Sequence, residues 1–332
     1  MDIKIFYNPL MMKRDWEKIC INGEYSSFYF WELVWLRSPI YLLPYMSRLI
    51  FFEVIDNNKP ILIVPLCKKL GKNEFFSMSK FNGTFKFDFV FDKTLPQSKL
   101  NDAVNFLFDN IIIDSIVLEK IVENEKTYNA LLSVNKIDFE IKRKKAISIK
   151  NIEEYEQWNK NLSKNARQNI RTAYNRLNTD EVKVEFTFIE NRRVAKQVLF
   201  EMIDLYCDRH INRYGLKVSA LKRFYLKHLD FSTIFLQKST DNFYYILRFN
   251  GELAAFMSGI NEGGALRIPR LSIQEKFKRY SPGIVLINET ILKICLSEIS
   301  GKDLDLGIGD ESYKKVMGGT EYNMCQMRYR KA

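Results

Sequence analysis

The chain has 332 residues, 46% hydrophobic and 14% aromatic, which is long for one compact domain, comfortable for two, and rules out low-complexity disorder. Its net charge of +11 is uneven: residues 1–141 carry a net of −1 and residues 142–332 a net of +12. Five scattered cysteines without a CxxC pair argue for reduced thiols and against a disulfide frame or zinc site, and two histidines exclude a His-rich metal centre. In chain order, the first half predicts helices near 12–21 and 29–36, strands near 48–56, 60–68, 73–79 and 85–91, a helix at 97–109 and a strand at 113–119. Asn57-Asn58 is placed to turn the first strand pair. The second half predicts strand 141–149, helices 152–160 and 163–178, strand 182–190, a long helix 191–213 and a helix near 219–229. Strands follow near 231–238, 242–249, 252–261 and 265–273, then helix 282–298, strand 303–306, a short helix 312–317 and strand 320–330. Asn250-Gly251 and Gly263-Gly264 mark hairpin turns. Helices, then meandering strands, then strand–helix–strand imply a mixed α/β sheet. The order repeats, so two copies of one fold are expected, residues 1–141 and 142–332.

A basic half calls for an anionic partner such as a nucleotide, coenzyme A, nucleic acid or a membrane surface, beside the ordinary solubilising role of lysine. The start MDIKIFYNPL lacks the basic-then-apolar order of a secretory signal, and no run reaches about 18 apolar residues. The expectation is a cytoplasmic protein without a membrane span.

The turn before helix 282–298 suits an anion. Ser281 is a good N-cap residue, Pro282 fits the first helical position, and Gly283 lets a ligand approach the backbone. The N–H groups of Gly283, Ile284 and Val285 would then lie free at the positive helix end, a site for a phosphate or pyrophosphate. The alternative is an ordinary well-capped helix.

A second turn, "DLDLGIGDESYKKVMGG", places Asp305, Gly307, Gly309, Asp310, Tyr313 and Lys314 past a short strand. With "LSKNARQNIRTAYNRL" (162–177), "HINRYG" (210–215) and "YSPGIVL" (280–286), it resembles the GNAT superfamily of acyl-CoA-dependent acyltransferases. The resemblance is to the polysaccharide-biosynthesis acetyltransferase branch, related to the peptidyltransferases of peptidoglycan bridge synthesis. It implies two tandem GNAT-like domains, a degenerate one over 1–141 and a catalytic one over 142–332. It also implies that acyl-CoA, carrying an acetyl or hydroxyacyl group, lies along Lys278, Arg279, Tyr280, Ser281, Pro282, Gly283, Ile284 and Val285. The pattern departs from the common GNAT loop in one respect: Tyr280 takes the basic position and Val285 the second small one.

Acyl transfer to an amine needs a neutral amine, a polarised thioester oxygen and a proton for the leaving thiolate. In many GNAT enzymes a tyrosine near Tyr313 faces the sulfur, and a phenol with a pKa of about 10 suits that donation. Tyr313 is thus the candidate acid, against the reading of a buried structural tyrosine. His210 is the candidate base, or else a helix-capping histidine; Arg213 and Tyr214 share its face, and Gly215 ends the helix. Asp305 and Asp310 are alternative bases, with Asp310 also able to bind a sugar hydroxyl or cap the short helix. Arg167 and Arg171, four apart with Lys164 before them, suit a diphosphate or form a solvated face. Lys314 completes the substrate contacts.

The reading is an acyl-CoA-dependent N-acyltransferase acting on an amino sugar carried on a nucleotide, in synthesis of a bacterial surface polysaccharide. Its partners are small molecules, with no metal and no nucleic acid. The alternatives are an aminoacyl-tRNA-dependent peptidyltransferase and a non-catalytic nucleic-acid-binding protein. The latter lacks a recognisable binding motif.

Overall fold

The computed structural model describes residues 1–20, 46–77, 86–214, 241–309 and 312–331; the side chains of residues 20, 210–214 and 312 are outside that description. Predicted helices near 29–36 and 219–229 and the strand near 231–238 lie outside the described residues. The strands are Asp2–Phe6 (β1), Ser47–Asp56 (β2), Lys59–Lys69 (β3), Glu74–Phe76 (β4), Ser115–Val122 (β5), Glu140–Ile149 (β6), Val184–Glu190 (β7), Asn242–Phe249 (β8), Glu252–Glu262 (β9), Ala265–Ile273 (β10), Asp303–Ile308 (β11) and Thr320–Arg330 (β12). The α-helices are Lys13–Cys20 (α1), Gln97–Asn110 (α2), Lys126–Leu132 (α3), Tyr155–Asn161 (α4), Lys164–Thr179 (α5), Lys196–Tyr214 (α6), Pro282–Cys295 (α7) and Ser312–Val316 (α8).

The chain divides into two units of mixed α/β fold. The first is Met1–Lys145 with Tyr322–Ala332, and the second is Ala146–Glu321. In the first unit the strand order is β1-β2-β3-β4-β5-β12, with β4 and β5 parallel and β12 antiparallel to β5. Asn57 and Asn58 both take positive φ, as a type I′ turn requires. Helix α2 packs Leu100, Ala103, Val104 and Leu107 against Phe52, Val54, Leu62 and Val64 of the β2–β3 hairpin. The predicted strand 85–91 is corrected. Phe87, Phe89 and Phe91 alternate into that core, but the described part of the segment makes one bridge, Val90 to Ile63. Alternating burial does not by itself supply a ladder partner.

The second unit has the order β6-β11-β10-β9-β8-β7. Asn250-Gly251 and Gly263-Gly264 take positive φ and close the two hairpins. Phe243, Tyr245, Leu247 and Phe249 of β8 enter a core with Ala166, Ile170 and Ala173 of α5 and Val285, Leu286 and Ile291 of α7. Helix α6 packs on the opposite face, against β9 and β10. Helix α7 is three residues shorter than predicted, because the chain turns left-handed at Ser297. Both units therefore run through the same series: helix, antiparallel hairpin, third strand, helix, parallel strand, short helix.

Candidate active site

Strands β10 and β11 pair in parallel only from Ala265–Arg267 to Asp303–Asp305. Beyond that point β11 stays with β6, while β10 bulges between Arg267 and Arg270, where Pro269 has no N–H to give a ladder. The two strands therefore fork. The bulge presses on β9 so closely that a Cβ at Gly259 would lie 1.8 Å from the Arg267 carbonyl oxygen. Only glycine fits there.

The root of the fork is ionic. Arg267 donates through Nη1 to Asp305 Oδ2 at 2.5 Å and through Nε to Glu262 Oε2 at 2.6 Å, with all three side chains largely buried. Asp305 Oδ1 accepts the Gly307 N–H at 2.9 Å. Both oxygens of Asp305 are thus engaged in holding the fork. Sequence reasoning missed Arg267 and Gly259. The available signals were a glycine inside β9 and a proline inside β10.

The turn before α7 is tighter than expected. Ser281 stands at the N-cap position but is left-handed (φ 50°), and its side chain caps nothing. Its carbonyl accepts the N–H groups of Ile284 (2.9 Å) and Val285 (3.2 Å), so these two are not available to an anion. The reason is register: Pro282 is the first helical residue, which makes Val285 the donor of the first ordinary helical bond. The Gly283 N–H remains at the helix start. The glycine itself serves packing, since a Cβ there would lie 3.3 Å from Ile273 Cγ2. Arg279 pairs with Asp180 at 3.0 Å, and Tyr280 donates to Asp180 at 2.8 Å, a bond that holds the Tyr280 phenol above its ordinary pKa. Lys278 pairs with Glu275 at 2.9 Å. Exposed pairs of this kind are worth about 0–1 kcal/mol, so a polyanion can take the basic side chains over.

Parallel neighbours end on the same side of a sheet. The turn 278–285 follows β10 and Tyr313 follows β11, so both emerge at the carboxyl end of the fork. Tyr313 is half-buried against the second unit's core. Lys314 is 4% exposed, and its Nζ lies 3.2 Å from the Ile308 carbonyl and 3.5 Å from that of Gly307. Lys314 tethers α8 to the end of β11. The Arg167 guanidinium donates to the Lys160 and Leu162 carbonyls at 2.9 and 2.8 Å, capping the C-terminus of α4. Arg171 is exposed. His210, Arg213 and Tyr214 stand in the last turns of α6, where side chains are outside the described residues, as are Asp310 and Gly215.

Residues 164–315 match the family model described as the acetyltransferase (GNAT) domain. No curated protein matches it in sequence. Among solved structures, FemX is similar over 98% of this chain and 97% of its own, at 10% identity and a TM-score of 0.61. A conserved protein of unknown function from Bacteroides thetaiotaomicron is similar over 99% and 100%, at 12% identity and 0.57. A C-terminal domain assigned to a lysylphosphatidylglycerol synthetase from Agrobacterium fabrum is similar over 96% and 93%, at 10% identity and 0.55. At such identities the likeness is one of fold, and it spans both units. The GNAT match covers the fork, the turn before α7 and most of α8.

In the turn before α7, the Gly283 N–H and the exposed Lys278 and Arg279 are groups that could meet a diphosphate such as that of acyl-CoA. Among the described residues, no group of three or more His, Cys, Asp or Glu is placed to hold a metal ion. No described helix is long and apolar enough to cross a membrane.

Proposed function

We propose that the chain is an acyl-CoA-dependent N-acyltransferase whose acceptor is an amino sugar carried on a nucleotide, serving synthesis of a bacterial surface polysaccharide. The chemistry belongs to residues 142–332, with the first half a silent partner. The observation that carries this reading is the fork between β10 and β11 opening beside a glycine turn, inside the segment matched as a GNAT domain. When bound, acyl-CoA supplies the activated thioester. Lys278, Arg279 and the Gly283 N–H hold its diphosphate. The buried Arg267–Asp305–Glu262 cluster keeps the fork rigid, so that donor and acceptor meet in a fixed geometry. Tyr313 holds the proton destined for the leaving sulfur at its hydroxyl, and His210 takes the proton lost by the amine. On α5, the exposed Arg171 meets the acceptor's diphosphate.

A second reading, an aminoacyl-tRNA-dependent transferase, draws on the +12 charge of residues 142–332. One set of measurements separates the two. Mass spectrometry of the purified protein should detect retained coenzyme A or nucleotide sugar, and acetyl-CoA should raise the melting temperature where tRNA does not. Tyr313→Phe should lower kcat by roughly 100-fold or more while KM changes little. Stabilisation by tRNA and none by acetyl-CoA would overturn the first reading.

A further inference from the structure

The α6 side of the second unit's sheet carries polar groups that the fold does not satisfy. Strand register sets Tyr244, Ser258 and Arg270 side by side across β8, β9 and β10, with Ser272 two residues beyond Arg270 on the same face. The odd-numbered residues of β8 fill the core beneath α7, so Tyr244 lies on the opposite side of the sheet, the side on which α6 packs against β9 and β10. Tyr244 is 1% exposed and Ser272 0%, and among the described residues neither the Tyr244 hydroxyl nor the Ser272 hydroxyl has a hydrogen-bond partner. Apolar residues share the space: Ile246, Phe256 and Ile260 from the sheet and Met202, Ile203 and Cys207 from α6. Each orphaned hydroxyl costs about 1–3 kcal/mol, which phenylalanine or alanine would avoid. Two such costs on one face are explained if an outside group completes both bonds. Both groups are neutral and can either donate or accept, as a sugar hydroxyl also can. Beside them Arg270 stacks on Tyr206 at 4.7 Å, a flat platform of ring size.

We propose that Tyr244 and Ser272 read ring hydroxyls of the acceptor sugar, making the α6 face of this sheet the specificity pocket. This inference rests on the amino-sugar reading given above. Both hydroxyls are sealed in the ligand-free form. The sugar therefore enters by displacing contacts of α6, among them the Arg209 bond to the Leu271 carbonyl and the Arg270–Tyr206 stack.

The test uses the full chain with UDP-glucosamine as probe, titrated calorimetrically into wild type, Tyr244→Phe and Ser272→Ala, with acetyl-CoA titrated separately. Each variant should bind UDP-glucosamine about 10-fold more weakly, bind acetyl-CoA as wild type does, and melt no lower than wild type. Unchanged UDP-glucosamine affinity in both variants overturns the proposal, as does wild type that does not bind the probe. Variants that melt lower at unchanged affinity overturn it too, by showing that the hydroxyls serve the fold. Weakened binding without any acyl transfer keeps the pocket and removes the acyltransferase reading. Transfer with the wild-type KM for the sugar in both variants does the reverse.

Discussion

The two units share an order of elements and differ in what happens where their parallel strands meet. In the second unit β10 and β11 part after three residues. In the first, the place where β4 and β5 would part is filled by the chain itself. The Ser77 N–H donates to the Val117 carbonyl at 2.9 Å, the Ser77 hydroxyl accepts the Glu119 N–H at 2.9 Å, and the Phe87 N–H reaches the Lys120 carbonyl at 3.0 Å. The turns before the following helices differ in the same way. Before α2, Asp92 accepts the Thr94 N–H at 2.8 Å, and the Lys126 ammonium donates to the Lys93 and Leu95 carbonyls at 2.6 and 2.7 Å. Before α7 stands a buried glycine with exposed basic neighbours. One fold can thus be spent on closing itself or on leaving an opening, and a handful of hydrogen bonds decides which.

The largest effect that would break this comparison lies at the root of the fork. Arg267→Ala strands Asp305 and Glu262 as buried, uncompensated charges and should cost about 3–5 kcal/mol in chemical denaturation. The corresponding region of the first unit holds the partly exposed Lys69–Glu74 and Lys72–Glu74 pairs, and Lys69→Ala should cost less than about 1 kcal/mol. Equal losses would mean that the fork carries no special load.

A smaller effect separates the two hairpins. Where the second unit buries neutral Tyr244 and Ser272, the first buries Glu53, 1% exposed, with no hydrogen-bond partner for either oxygen among the described residues. Burial, with Asp15 adding to it, raises the Glu53 pKa against the opposing pull of Lys4 and Lys18. A raised folded pKa means that the folded state favours the protonated acid. The stability this group contributes is full below the ordinary carboxylate range and is lost as pH rises through its raised folded value. Glu53→Met should therefore flatten the dependence of melting temperature on pH above about 4 and add about 1 kcal/mol at neutral pH. A difference between variant and wild type that does not change with pH would show that Glu53 is not titrating in the fold.

The smallest effect concerns two arginines one helical turn apart. Arg167→Ala should cost about 1 kcal/mol of stability through the lost cap on α4, with ligand affinities intact. Arg171→Ala should leave stability alone and weaken binding of the nucleotide sugar, most at low salt. The opposite pattern would return Arg167 to the ligand.

The hairpins of the second unit were legible almost to the residue, because Asn250-Gly251 and Gly263-Gly264 fix their turns locally and alternation fixes their faces. The strand expected at 85–91 shows the limit of alternation, which reports burial and not pairing. At the site, sequence located the turn before α7 and the Tyr-Lys turn. It gave no sign of the partners that are distant in the chain or belong to the backbone. Asp305 is held by Arg267 from 38 residues away, Lys314 is drawn to carbonyls at the end of β11, and Arg167 serves the helix before its own. None of these partnerships leaves a local pattern, and the orphaned hydroxyls of Tyr244 and Ser272 leave none either.

The first unit's sheet takes its sixth strand from residues 322–330, after the whole of the second unit. During synthesis, residues 1–145 emerge with five of six strands and with the outer edge of β5 bare. At about 5–20 residues per second, β12 follows roughly 10–35 s later. The half translated first is finished last, and through that interval the β5 edge is a template on which a neighbouring nascent chain can pair.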